Sequence, residues 1–209
     1  MKFPLSNHPL RKTIGCQLKS HPLLAGLDEA AHAELAGLLS VHEGQRGEQL
    51  LEQGSRDLHQ FFVLEGLLKR VVTSAQGREM TLRFVGDGDM ETGYEAWTQY
   101  TGSGFSVICA KRSLVISLPM GEWCAFMERH PSVYTRFHER LVQLGAAIVE
   151  HAVGLLLLDA PSRVHQFSSK YPGLADRVPH KDVASYLNLS AETFCRLTRP
   201  QRRPLQAVA

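Results

Sequence analysis

The stretch from His180 to Arg199, HKDVASYLNLSAETFCRLTR, decides how the chain is read. Val183, Ala184, Leu187, Leu189, Phe194 and Leu197 are spaced so that two short helices can cross and bury one shared face. Asn188 falls where the first helix must stop, at a position that tolerates left-handed backbone. Ser190 then caps a second helix, Glu192 in its first turn complements the helix dipole, and Pro200 ends it. The pattern predicts a helix-turn-helix of the DNA-reading kind. Its free face carries Ala191, Glu192, Thr193, Arg196 and Arg199, with His180 and Lys181 beside it, for base edges and phosphates. An ordinary helical hairpin inside a core has the same apolar spacing, so the surrounding chain must discriminate.

Charge favours the first reading. Residues 160–209 hold eight Lys/Arg against three acids, whereas the other 159 residues hold fifteen against eighteen. Positive charge thus gathers where a polyanion would dock, although a solvated basic tail gives the same count. Cys16, Cys109, Cys124 and Cys195 are scattered, and no secretion signal is read, so reduced thiols and a cytoplasmic location are expected. The longest aliphatic run, Gly154 to Leu158, is too short to span a bilayer, and no membrane partner is expected. A Gly-rich phosphate loop, a His-Glu-x-x-His and a Gly-x-Ser-x-Gly are all missing, as is any histidine pair at metal-ligand spacing. Hence no catalytic residues, no metal site and no enzymatic activity are expected.

Upstream the texture changes twice. Asp28 can cap a helix through Ala30, Leu35 and Leu38–Leu39, while Pro4, Pro9 and Pro22 are expected to keep the preceding arm irregular. From Val41 to Leu118 short strand-like runs alternate with glycines: 50–51, 61–64, 67–72, 80–84, 105–108 and 114–118. Ser74-Ala75-Gln76-Gly77 reads as a hairpin turn. Many short strands at close spacing predict an antiparallel barrel or jelly roll. From Gly121 the chain reads as helix. Phe137, Leu141, Leu144, Ile148, His151, Leu155 and Leu158 alternate at four and three, the spacing of a coiled-coil seam between two copies of the chain. Asp159-Ala160-Pro161 then forms a hinge. The expected class is α+β: an arm and helix over 1–40, a β-roll sensor domain over 41–119, a dimerisation helix region over 120–158, and a helix-turn-helix domain over 159–209.

A glycine-punctuated roll, a long helix and a terminal helix-turn-helix, in that order, resemble the CRP/FNR family of bacterial transcription regulators. Gly54, Phe62-Val63-Leu64-Glu65-Gly66, Gly77-Arg78-Glu79-Met80 and Gly88-Asp89 look like the family's roll glycines and hairpin. His130-Pro131-Ser132 resembles the start of its long helix, Leu158-Asp159 its hinge, and Ser190 to Arg196 its recognition helix. The resemblance implies a cytoplasmic homodimer on a two-fold DNA operator, with RNA polymerase a further candidate partner. It places an effector pocket at Thr92, Gly93, Ser103, Gly104, Phe105, Ile148 and His151.

Two departures qualify the resemblance. Where cyclic-nucleotide-binding members carry a Gly-Glu step and an Arg-Ser pair, this chain reads Thr92-Gly93 and Ser103-Gly104. Ile148 and Val149 replace the hydroxyl pair that would meet an adenine. A buried phosphate needs a cation and donors, so cyclic AMP or GMP is not expected to bind in the usual mode. With only Cys16 near the start, a four-cysteine iron–sulfur cluster is not expected either. The haem-binding branch is left open by His8, Cys16, His21, His59 and Cys109, and the effector stays unidentified. At the other end, Pro200 to Ala209 leaves the family's wing absent or vestigial, and Ala191 stands where many members read guanine with arginine. The leading expectation is a homodimeric DNA-binding regulator. The alternative is a degenerate dimeric sensor or protein-interaction module without sequence-specific DNA binding.

Overall fold

Apolar runs cut by glycine become two antiparallel sheets in the computed structural model, which describes residues 2–198. One sheet has the order β1 (Lys2–Pro4), β2 (Ser40–Gly44), β9 (Ser113–Pro119), β4 (His59–Glu65) and β7 (Met90–Thr92). The other has the order β3 (Gln49–Leu51), β8 (Ser106–Cys109), β5 (Leu67–Thr73) and β6 (Glu79–Gly86). Register sets the inward faces. Phe62 lies opposite Ile116 and Val63 opposite Val115, while Leu68 lies opposite Val85 on one side and Cys109 on the other. All of these are buried. The expected hairpin joins β5 to β6, with the Ser74 N–H donating to the Arg78 carbonyl at 2.9 Å and Gly77 at φ 79°. Gly66 turns β4 into β5 at φ 118°, where a Cβ would come within 2.5 Å of Ser113 Cα.

The first forty residues are more ordered than the prolines suggest. β1 pairs with β2, and α1 (Arg11–Lys19) forms just past Pro9, burying Ile14 and Leu18 one turn apart. Pro9 precedes the helix and so costs it nothing. α2 (Glu29–Leu38) begins as expected at Asp28, whose carboxylate accepts the Ala31 N–H at 2.8 Å. Short α3 (Tyr94–Thr98) follows β7, and α4 (Met120–Arg129) leads into α5 (Pro131–Leu157), 27 residues long.

α5 is rooted in the roll by Phe137. Phe137 packs edge-on against Trp123 at 5.6 Å and Tyr94 at 5.2 Å, and Trp123 reaches Phe62 at 5.5 Å. Val133, Phe137 and Leu144 are buried in the roll's core and Leu141 packs against it. The seven-residue seam read from the sequence is therefore the inward face over its first half, because a large aromatic at 137 is satisfied within its own chain. A second set of aliphatic residues stands in solvent: Val142, Val149, Val153 and Leu156 are 72%, 62%, 45% and 83% exposed. α5 as a whole reaches a mean hydropathy of 1.4 over an 18-residue window, enough in length and composition to cross a membrane. The short aliphatic run considered in the sequence did not include this longer helix.

The chain divides into two units, Met1–Glu150 and His151–Ala209, so α5 is shared between them rather than forming a region of its own. The second unit holds the end of α5, α6 (Ala160–Lys170), α7 (Leu174–Arg177), α8 (His180–Tyr186) and α9 (Ala191–Thr198). Asp159 caps α6 by accepting the Ser162 N–H at 2.9 Å, with Pro161 in the first turn. Val164, Phe167, Val183, Ala184, Tyr186, Leu187 and Phe194 form its buried interior.

Candidate functional site

In the second unit the chain turns between α8 and α9 as its residue types dictate. Asn188 adopts φ 51°, and the Leu189 N–H donates back to the Ala184 carbonyl at 2.8 Å. Ser190 caps α9 by accepting the Thr193 N–H at 3.0 Å, and its own hydroxyl donates to Thr193 Oγ1 at 2.9 Å. Thr193 therefore keeps the free hydroxyl proton, and Ser190 is largely committed to the cap. Phe194 faces inward beneath His180, ring centroids 5.4 Å apart. His180, Lys181, Ser190, Ala191, Glu192 and Arg196 are exposed and Thr193 half-buried, so one face gathers the expected contact residues. Cys195, read from the sequence only as a reduced thiol, sets its Sγ 3.6 Å from His180 Nδ1. Arg199, and with it Pro200 and the question of a wing, lies outside the described residues.

The expected effector pocket does not assemble as a set. Thr92 and Gly93 end β7 and precede α3, where a Cβ on Gly93 would meet Leu58 at 3.1 Å. Ser103 is buried and turned upon its own loop, donating to the Phe105 carbonyl at 2.6 Å, while its carbonyl accepts the Gly54 N–H at 2.7 Å. Its hydroxyl is thereby engaged. Gly104 is exposed, and Ile148 is half-buried on α5. His151 belongs to the second unit, stacked face to face on Tyr186 at 3.8 Å with 9° between rings. One face of its ring is thereby engaged within its own chain.

What fills the roll beside Thr92 and Phe105 is an ion network that the sequence reading missed. Glu91 is fully buried, and its two oxygens accept a fork from Arg70: Nη2 reaches one, Nε the other at 3.1 Å. The same carboxylate accepts the Thr92 N–H at 2.9 Å and Arg83 Nη1 at 3.4 Å. Arg83 also pairs with Asp89, which in turn accepts Arg140 of α5 at 2.7 Å. Phe105 lies under the Arg70 guanidinium, 3.9 Å from ring centroid to carbon. Burial opposes ionisation of Glu91 and Asp89, yet their arginines outweigh it: Arg70 and Arg83 hold Glu91 below the ordinary carboxylate range, and Arg83 and Arg140 do so for Asp89. Strand parity did not reveal it: Met80, Leu82 and Phe84 read as the apolar face of β6, and three-residue β7 is too short to show a period. Arg83 lies opposite Arg70, next to a register shift in the β5–β6 ladder, and Glu91 lies between Met90 and Thr92 in a strand buried throughout. Charged residues at inward positions require partners.

These features define a class. Residues 41–130 match the cyclic nucleotide-binding domain family, and the β-roll, long helix and C-terminal helices together make a CRP-like fold. That fold is shared with the CRP/FNR regulators, a non-enzymatic family. A putative transcriptional regulator of that family from Eubacterium rectale superposes with a TM-score of 0.69 at 18% identity, covering 84% of each chain. The c-di-GMP-responsive global regulator CLP of Xanthomonas campestris gives 0.68 at 13%, covering 81% of this chain and 89% of that one. FixK2 from Bradyrhizobium japonicum gives 0.66 at 16%, covering 75% and 81%. No curated protein sequence matches this one.

Proposed function

We propose that the chain is a homodimeric, DNA-binding transcription regulator whose roll does not take cyclic AMP or GMP in the usual mode. The observation that carries the DNA-binding reading is α9. An αL asparagine and a serine cap launch it so that Phe194 faces inward while Glu192 and Arg196 stand outward, the geometry a major-groove helix needs. Arg196 is the base-edge candidate, Glu192 could accept from cytosine, and Thr193 has a hydroxyl free to donate. His180 and Lys181 would position the backbone.

The filled roll supports the second half of the reading. A cyclic phosphate entering near Thr92 and Ser103 would find Arg70 already bonded to Glu91 and Ser103 to Phe105. Dimerisation is assigned to the exposed stripe of α5, since a two-fold operator needs two linked helices about 34 Å apart. The occupant favoured for that stripe is a second copy rather than lipid, because the opposite face holds Phe137 and Leu144 in the roll's core. Cytoplasmic location follows from the same reading. Binding of the full chain to promoter fragments across a salt series tests it. A steep salt slope with one preferred sequence supports the proposal. Equal, feeble binding to every duplex at low salt would leave a dimeric protein-interaction module instead.

A further inference from the structure

We propose that the roll contains an anion subsite occupied from within: Arg70 and Arg83 converge on Glu91, whose carboxylate sits where a free carboxylate or phosphate would otherwise be held. This deepens the reading that cyclic nucleotide does not bind in the usual mode, and rests on it. Its cations come from β5 and β6 rather than from the loop that ends at Phe105, while Thr92 of the degenerate cassette donates to the same carboxylate.

The arginine side chains are 10% and 11% exposed and that of Glu91 not at all. Two guanidiniums so placed on neighbouring strands cannot stay buried without a counter-charge. Arg70 presents the planar fork that matches any carboxylate or phosphate edge, Phe105 covers one guanidinium face, and the Thr92 N–H adds a fourth donor. Every donor points at one carboxylate-sized volume. Glu91 fills that volume as a tethered ligand, and through Arg83, Asp89 and Arg140 its presence is relayed to α5. The protein's own side chain thus does what a diffusible anion would do, and the roll is complete without one.

Truncating Glu91 should convert the occupied subsite into an open one. The experiment compares thermal unfolding of the full chain, wild type, Glu91→Ala and Glu91→Gln, in acetate, inorganic phosphate and chloride at matched ionic strength. Wild type gives the general effect of each anion on stability, and the variants are read as differences from it. Glu91→Ala should melt lower in chloride and recover most of the loss in acetate or phosphate, since an anion that binds only the folded state stabilises it. Glu91→Gln, which keeps the volume filled, should stay low throughout. If Glu91→Ala accumulates unfolded, its refolding yield should be higher in acetate or phosphate than in chloride. Equal yields of Glu91→Ala, or an equal deficit in its melting temperature from wild type, in every anion would overturn the proposal, as would equal recovery by Glu91→Gln. Heat on titrating cyclic AMP into wild type would instead overturn the reading beneath it, so the two failures are separable.

Discussion

Replacing Val149 by aspartate places a carboxylate in the middle of the exposed α5 stripe, on the face assigned to a second copy. The four aliphatic residues there together expose the equivalent of about two and a half side chains per protomer. At about 2 kcal/mol for each fully buried side chain, the pair of stripes contributes about 10 kcal/mol. Association itself costs about 4–15 kcal/mol, so the interface has little to spare. Val149→Asp removes about 1 kcal/mol of burial from each protomer and adds several kcal/mol for each unpaired buried charge. Taking about 3 kcal/mol for each charge, the loss is about 8 kcal/mol and weakens the dimer by about six decades. Sedimentation equilibrium at micromolar protein should show a folded monomer, with the roll's melting temperature nearly unchanged. Leu144→Asp is the contrast: Leu144 is buried in the roll's core, so this change should lower the melting temperature first. A Val149→Asp protein that stays dimeric, beside a Leu144→Asp protein that is a folded monomer, would refute the register. Flotation of wild type with lipid vesicles would refute the choice of occupant.

Three further outcomes are expected. Arg196→Ala should cost about 1–3 kcal/mol at a selected operator and relax one base position, while Lys181→Ala weakens all sequences alike; gel-shift titrations on operator and scrambled duplexes decide this. Burial lowers His21 to a pKa of about 4, so its neutral form is the one the fold accepts. Stability from this group is therefore full above the ordinary imidazole pKa and is lost as pH falls from about 6.5 to 4, worth about 3 kcal/mol. His21→Asn keeps an acceptor for the Leu23 N–H and should flatten that limb of the denaturation profile; an unaltered slope counts against it. Gly66→Ala should leave little folded protein, because its Cβ collides with Ser113. Gly77→Ala, also at positive φ but facing open space, should cost only about 1 kcal/mol in urea denaturation.

What was legible in the sequence was local. Asp28, Asn188, Ser190 and Asp159 each act within four residues of themselves, so a cap or a left-handed turn could be read without knowing the fold. The roll's hairpin at Ser74–Gly77 was readable for the same reason. β1 and β7 span only three residues each and depend on partners distant in sequence, so no periodicity announces them. The α5 seam illustrates a different limit. Two apolar stripes run along the same helix, Val142, Val149 and Leu156 each one position after a seam residue, and spacing cannot say which faces the chain's own core. Phe137 settles it through Trp123 and Tyr94, contacts that exist only once the roll has closed. Nor does spacing reveal the stacking partner of His151, since Tyr186 lies thirty-five positions away in the second unit.

The ion network also bears on where a signal can act. Exposure rises along it, from 0% at Glu91 through 11% at Arg83 and 22% at Asp89 to 35% at Arg140. Electrostatic coupling falls as water approaches, so the inner pairs resist any competitor while the outer pair approaches the small value of a surface ion pair. A ligand can shift a conformational equilibrium only by its difference in affinity for the two states. Against the inner pairs that difference must exceed the cost of stranding buried guanidiniums, about 3–5 kcal/mol. Against Asp89–Arg140 it need exceed only about 1 kcal/mol. A cavity of about 300 Å³ opens at this outer end, lined by His21, Leu23, Asp89, Met90, Arg140 and Gln143. The degenerate cassette and the weak outer link are thus two aspects of one arrangement. Phe137 and Leu144 hold α5 in the roll's core, and within the ion network the link most open to competition by ordinary binding energies is the one between Asp89 and Arg140.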